Sequence, residues 1–379
     1  MTVTFFTNFI NHHQVHVADE MYRHLGDDYT FVATEEIPQS FKNSGYPDYS
    51  NRPYLLKAYL DENRAEAMRL ATESDIIILG SAPEIYIKER LKLNKLTFRY
   101  NERWFKKNYR RLFKFSALKN YYRRHTRYRN NELYMLCASA YTASDVAKVF
   151  AYPNKCFKWG YFTEVENFDF DEVFAQKQSP IVRMMWCARF IDWKHPELAV
   201  ELAAKLKNSG YQVIIDMFGG GELFEQTKTL ANNLGVEDMV IFRGNVPNSQ
   251  ILEEMRQHDI FLFTSDRNEG WGAVLNEAMS NGCTAVAANE IGAVPFLIKH
   301  KENGLIFKSK SIDSLYENVK YLLDNPQERY NMSKSAYETM QNDWSPKHAT
   351  ERLLQLMEGL LNGKPVEFAD GPCSKAHKI

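Results

Sequence analysis

From about residue 180 onward, short β-branched or apolar runs alternate with longer helical stretches. PIVRMMW, YQVIIDMF, MVIFRG and DIFLFTS are followed by helical patterns starting near residues 195, 222, 249 and 271, and CTAVAAN leads into further helix. Strands parted by helices of ten or more residues pair in parallel through right-handed crossovers, so this half is expected to form a doubly wound α/β sheet. The first half repeats the pattern more weakly, with candidate strands at residues 3–7, 30–33, 75–79, 96–99 and 133–137. The expected fold class is α/β, with two doubly wound domains facing across a cleft and ligands held at the carboxyl ends of the strands.

The chain of 379 residues, 44% hydrophobic and 25% charged, has material for two buried cores, which excludes a mainly disordered chain. An aperiodic run ending at Pro180 reads as a linker, giving a first domain at 1–160, the linker at 161–178 and a second domain at 179–345. An amphipathic helix at 346–361 is expected to pack back on the first domain, and the tail at 362–379 is expected to be mobile. The N-terminus lacks the basic start and apolar core of a signal peptide, and no stretch reaches the roughly 18 apolar residues of a spanning helix. The expectation is a cytoplasmic protein. Cys137, Cys156, Cys187, Cys283 and Cys373 are odd in number and scattered, so reduced, mostly buried thiols are expected rather than disulfides or a zinc site.

The near-neutral net charge of −1 conceals a strong asymmetry. Residues 88–129 hold 16 Lys or Arg against only Glu89 and Glu102, a surplus of 14, which leaves −15 on the rest of the chain. Inside this segment Phe105, Tyr109, Leu112 and Phe113 recur at helical spacing among Lys106, Lys107, Arg110, Arg111 and Lys114. The pattern predicts a basic amphipathic helix suited to an anionic membrane surface. A domain helix whose charges merely face water fits it too, and a nucleic-acid-binding arm is a further alternative.

The stretch DIFLFTSDRNEGWGAVLNEAMSNGC, residues 259–283, is the densest in chemistry. It reads as a buried strand, a polar loop delivering Glu269 and Gly270, and a helix starting near Trp271. Unsatisfied amides at such a helix start, with flexible Gly270 and Gly272, suit phosphate oxygens. Glu277, six residues into that helix, would sit roughly 9 Å from its start, within reach of a ribose whose hydroxyls a carboxylate can accept. Upstream, CARFIDWKHPELAVELAAKL places Arg189 and Lys194 in a loop between a strand and a helix. Two cations there can converge on a pyrophosphate, each attraction amounting to about 4 kcal/mol at 4 Å and an effective dielectric near 20.

Glu269 and Glu277 resemble the Glu-x7-Glu signature of glycosyltransferase family four and its retaining relatives. The Arg189–Lys194 loop resembles the family's Gly-Arg-Leu-x3-Lys-Gly segment, with Ala188 and His195 standing where glycines are usual. The resemblance implies two Rossmann-like domains of the GT-B type, with an acceptor-binding first domain and a second domain binding a nucleotide-sugar donor, UDP- or GDP-linked. It also implies retention of configuration without a cofactor. The roles implied are Arg189 and Lys194 on the diphosphate, Glu269 on donor-sugar hydroxyls, the amides of Gly270 and Gly272 on phosphate or sugar, and Glu277 on ribose. Trp271 is expected against the donor sugar or in the core, and residues 243–246, from Arg243 to Val246, near the base. Gly219, Gly220 and Gly221 fit either a phosphate contact or a tight turn.

In the first half, the family's usual Gly-Gly after the first strand is replaced by a segment containing His12, His13 and His16. His12 and His13 are candidates for acceptor or phosphate contact, as are Arg99, Asn101 and Glu102 in FRYNER. Asp169-Phe170-Asp171 spells the Asp-x-Asp of metal-dependent transferases, but it lies in the expected linker and reads as a solvated acidic turn, so no metal is expected. The implied partners are a nucleotide sugar, a glycan or lipid-linked acceptor, and an anionic membrane surface along residues 88–129, with peripheral attachment and no nucleic acid. A nucleotide-sugar epimerase of the same fold is the main enzymatic alternative. A phosphorylase would need a pyridoxal-binding lysine and a longer chain.

Overall fold

The computed structural model describes residues 1–39, 47–177, 181–364 and 366–379. The boundary expected between 178 and 179 lies outside these residues. The chain forms two compact units, one of Met1–Glu164 with Asp343–Ile379 and the other of Val165–Asn342.

The first unit holds a sheet of β1 (Val3–Thr7), β2 (Tyr29–Ala33), β3 (Leu55–Lys57), β4 (Ile76–Leu79), β5 (Thr97–Asn101), β6 (Leu133–Cys137) and β7 (Cys156–Lys158). Their order is β3-β2-β1-β4-β5-β6-β7, and every pair is parallel. The second unit holds β8 (Val182–Cys187), β9 (Val213–Phe218), β10 (Val240–Gly244), β11 (Ile260–Phe263), β12 (Thr284–Ala288) and β13 (Leu305–Phe307), ordered β10-β9-β8-β11-β12-β13, again all parallel. The central strands β1, β4, β6, β11 and β12 are buried along their whole length, as covering by helices on both faces requires. Both units are thus doubly wound α/β sheets. In each, strand order reverses beside the first strand, between β1 and β4 and between β8 and β11, where ligands of such sheets bind.

The expected linker is structured. Phe162 is buried in the first unit, where it stacks on Trp344 at 6.1 Å. In the second unit Phe170–Gln176 is a helix whose N-cap is Asp169, accepting from the Glu172 amide at 3.0 Å, while Asp171 pairs with Lys334 at 3.1 Å. The Asp-x-Asp is therefore solvated as expected, both residues being exposed, but it begins a helix rather than forming a turn. Lys177 is buried and donates to the carbonyls of His258 and Gly282.

The tail also departs from its expected mobility. Cys373 and Ser374 are buried, Lys375 forms an antiparallel bridge with Phe157 of β7, and the Ile379 amide donates to Ser144. The exposed side of an edge strand is an unpaired ladder, and the tail satisfies part of it. Ahead of it the Pro346–Leu361 helix, capped by Ser345, packs against the Val15–Leu25 helix. The five cysteines are unbridged and four are buried.

The basic segment is not one helix. Asp145, itself buried, accepts the amides of both Trp104 (2.8 Å) and Phe105 (3.0 Å), so those groups are held by a carboxylate forty residues away. Residues Arg110–Phe113 form a single tight turn, and the helix begins only at Phe115, running to Arg124. Among the described residues no helix is long and apolar enough to cross a membrane.

Candidate functional site

At the switch point of the second unit, the loops after β8 and β11 are tied together. The Asp266 amide donates to the Trp193 carbonyl (3.0 Å), and the Thr264 hydroxyl, which accepts from the buried Trp186 indole, donates to the Lys194 carbonyl (2.7 Å). Two residues far apart in sequence are thereby brought together. The Lys194 ammonium forms an ion pair with the Glu269 carboxylate, both largely shielded, and lies 4.5 Å from the centre of the Trp193 ring. Arg189 is exposed, its guanidinium 6.0 Å from the same ring, with no carboxylate partner among the described residues. Trp193 thus stands beside both cations the sequence singled out.

His195 explains how this loop dispenses with the usual glycine. It adopts φ +50, ψ +57, the left-handed conformation that glycine enters freely and histidine enters at a cost of about 1–3 kcal/mol. Its ring nitrogens face Glu197 at 2.7 Å and Asp266 at 3.5 Å. Hydrogen bonding to Glu197 holds its pKa above the ordinary imidazole value.

Asp266 is the residue that sequence reasoning missed. Buried beside the two loops, it accepts from the Asn268 amide and side chain and pairs with Lys310 at 2.9 Å. Burial alone would raise its pKa, but these partners hold it below the usual carboxylate range. An Asp two residues before an Asn after a strand was a legible turn signal; its ion pairs were not.

The Gly219-Gly220-Gly221 run supports the Arg189 loop. A Cβ at Gly219 would lie 2.0 Å from the Ala188 carbonyl oxygen, and one at Gly221 2.5 Å from that of Phe190. Phe190 in turn donates to the Gly220 carbonyl at 2.9 Å. Close backbone approach is therefore what these glycines permit.

The helix after Glu269 starts later than expected, at Val274, and ends at Ser280. Asp266 and Asn268 form a turn, Gly272 takes φ +95, and only beyond it can right-handed helix begin. Glu277 consequently lies in the first turn, about 4.5 Å along the axis from Val274 rather than about 9 Å. Trp271 is fully buried, with its indole donating to Asn276 at 2.9 Å, and so belongs to the core. Burial raises the Glu277 pKa to about 7, opposed by a hydrogen bond from Asn248. Its charge adds to the burial that pushes the neighbouring Cys187 thiol up to about 12.

Arg243 directs its side chain elsewhere. It donates to Asp216, a fully buried residue of β9 that also meets Arg183 and, at 3.0 Å, His258. Burial would raise the Asp216 pKa, yet the hydrogen bonds from His258 and Arg243 keep it low. A lone Asp inside YQVIIDMF was the signal for such a network, because a charge in a buried strand must be paired. Val246 is partly exposed in the loop beyond β10.

In the first unit, Asn11 accepts the amides of His13, Gln14 and Val15 and so starts the Val15–Leu25 helix. His12 and His13 lie ring to ring at 3.7 Å, and His13 stacks on Tyr161 at 5.0 Å. Tyr161 donates to Glu102 at 2.6 Å, and Glu102 pairs with Lys106. Burial, then the neighbouring imidazoles, lowers His12 to about 4 and His13 to about 3, so both are neutral at physiological pH. Arg99 is buried and bound in bidentate fashion to Glu84, apart from this cluster. Asn101 gives its carbonyl to the Ala138 amide.

Residues 167–339 match the model of the family described as glycosyl transferases group 1. This part of the chain is similar to the glycosyl transferases group 1 family. The GDP-mannose-dependent alpha-(1-6)-phosphatidylinositol monomannoside mannosyltransferase of Mycobacterium tuberculosis is 27% identical over 147 residues, 37% of this chain and 38% of that protein. The chain thus matches less than two fifths of the length of the curated relatives named first. Among solved structures, HepE of Anabaena in complex with UDP is similar with a TM-score of 0.70 at 14% identity, over 95% of this chain and all of that one. Sucrose-phosphate synthase of Thermosynechococcus elongatus gives 0.66 at 14% identity over 96% and 100%. The fold is that of the GT-B glycosyltransferases, and the matched span contains both loops described above, with Lys194, Glu269 and Glu277 inside it.

Proposed function

We propose that the chain is a retaining glycosyltransferase that moves a sugar from a UDP- or GDP-linked donor to a glycan or lipid-linked acceptor in cell-surface glycan synthesis. The observation that carries this reading is the Lys194–Glu269 pair at the β8–β11 switch point, beside Gly270 and Gly272 and followed by buried Glu277. The UDP complex of HepE and the GDP-mannose dependence in the mycobacterial relative's name support a nucleotide-sugar donor without choosing its base.

In this reading Lys194 and exposed Arg189 meet the charge that develops on the leaving diphosphate, so no metal is required. Donor binding turns Lys194 from Glu269 toward phosphate, which releases the Glu269 carboxylate to accept from donor-sugar hydroxyls. The sugar–phosphate C–O bond breaks as the acceptor oxygen bonds to the same face of the sugar, and the acceptor proton passes to the departing diphosphate oxygen. Ionised Glu277 accepts from the ribose, and the backbone of residues 243–246 lies near the base. The first unit binds the acceptor, with neutral His12 and His13 as hydrogen-bonding groups rather than phosphate-binding cations. Residues 88–129 meet an anionic membrane surface.

Incubating the purified chain with a panel of nucleotide sugars, with EDTA present, tests this reading. Slow release of nucleoside diphosphate and free sugar from one donor is expected. Recovery of a donor with an altered sugar would mean an epimerase. Hydrolysis abolished by chelation and restored by manganese would overturn the metal-free mechanism.

A further inference from the structure

The basic segment carries an apolar face that its sequence pattern did not reveal. In the Phe115–Arg124 helix no residue is buried. Tyr121 stacks on Trp104 at 5.1 Å and also meets Phe105, so this side of the helix faces the unit. At about 100° per residue, Phe115, Leu118 and Tyr122 lie within about 60° of one another on an adjacent side, centred roughly 90° from Tyr121, with Lys119 and Arg123 along their flank. These three are 81%, 41% and 59% exposed, and Phe113, in the preceding turn, is 87% exposed. Phe113 and Phe115 are the most exposed large apolar side chains among the described residues.

The charges around this face are unneutralised. Glu89 pairs with Lys92, and Glu102 with Lys106. Lys107, Arg110, Arg111, Lys114, Lys119 and Arg123 have no ion-pair partner among the described residues.

We propose that residues 107–123 form a membrane-docking surface for an anionic bilayer, in which Phe113, Phe115 and Leu118 enter the headgroup–acyl boundary while the surrounding Lys and Arg bind lipid phosphates. This deepens the membrane reading above and is independent of the donor site. Exposed Phe and Leu lose contact with water on insertion, and long basic side chains keep their charges at the headgroups while their stems lie along the apolar layer. Clustered cations supply the long-range attraction, which salt screens. Nucleic acid stacking on the exposed aromatics is the competing outcome of the test. The sequence-based set gave a membrane role to Phe105, which is buried and turned inward.

Co-sedimentation of the full chain with mixed phosphatidylglycerol–phosphatidylcholine vesicles tests the proposal, with pure phosphatidylcholine vesicles and a single-stranded RNA oligonucleotide as comparisons. Two variants accompany the wild type: Phe113→Ser with Phe115→Ser, and Arg110→Gln with Arg111→Gln, Lys114→Gln and Lys119→Gln. The wild type should bind the anionic vesicles at low salt and leave them as salt rises. Each variant should bind at least about tenfold more weakly with an unchanged thermal midpoint, since each removes one of the two attractions. No binding of the wild type to anionic vesicles, equal binding to neutral ones, binding that survives in either variant, or tighter binding to RNA would each overturn it. Nucleoside-diphosphate affinity, measured in parallel, reports separately on the donor site.

Discussion

The two units wind the same strand order around a first central strand, yet the loops at their switch points are built from opposite chemistry. In the second unit the Arg189–Lys194 loop rests on glycines, pairs Lys194 with Glu269 and leaves Arg189 exposed. In the first unit the loop after β1 holds His12 and His13, packed ring to ring and neutral. Topology supplies the location in both cases; side chains decide whether it suits a diphosphate or an uncharged, hydrogen-bonding ligand.

The largest expected difference between the two loops is catalytic. Lys194→Ala and Arg189→Ala should each lower turnover by about a hundredfold or more, because a charge partner aimed at the leaving diphosphate is lost. His13→Ala, measured in the same assay, should act mainly through acceptor KM. A comparable fall in donor hydrolysis for His13→Ala would erase the division of labour.

Glu277 gives the next effect. Glu277→Ala should weaken nucleoside-diphosphate binding by about 1.5–3 kcal/mol, the typical cost of losing a charged hydrogen-bond acceptor. Because its pKa is raised to about 7, the carboxylate is half protonated near neutrality in the unliganded protein. Affinity of the wild type should therefore climb between about pH 6 and pH 8, whereas Glu277→Gln should show little such rise. A flat wild-type profile would remove Glu277 from ribose binding.

Glycine substitutions separate the loops structurally. Gly219→Ala forces a Cβ against a backbone carbonyl at a left-handed position, and should cost about 1–3 kcal/mol in urea unfolding. Gly80, after β4, would place its Cβ 3.1 Å from the Thr7 hydroxyl with no left-handed φ, so Gly80→Ala should cost less. Equal losses would show that the Arg189 loop does not depend on close backbone approach.

A further effect concerns acid. His12 and His13 have folded pKa values of about 4 and 3, below the ordinary 6.5, so between those values the unfolded chain binds more protons. Their contribution to stability is complete above about pH 6.5 and falls as pH drops toward 4. Replacing both by Gln should flatten that part of the thermal-midpoint profile.

The strands of the second unit were legible because continuous apolar runs such as DIFLFTS survive as fully buried strands. β3, β7 and β13, three residues each, are too short to leave a periodic signal. Of the candidates named from chemistry and spacing, Lys194 and Glu269 are brought into one ion pair, and Glu277 lies buried in the helix that follows. The sequence was misread where distant partners intervened. Asp145 captures the amides at Trp104 and Phe105 and displaces the basic helix to Phe115, and left-handed Gly272 delays the helix that carries Glu277. The bonds of Asp266 and Asp216 cross between strands and loops, so only the fold brings their partners together.

The central claim is that the second unit's switch-point loops bind a nucleotide-sugar donor, and calorimetric titration of the full chain with UDP and with GDP, in EDTA at pH 8, tests it most directly. One of the two nucleotides should bind the wild type and the His13→Ala variant alike, and bind Lys194→Ala and Glu277→Ala distinctly more weakly. Absence of binding by either nucleotide, or equal affinity across all four proteins, would contradict the account.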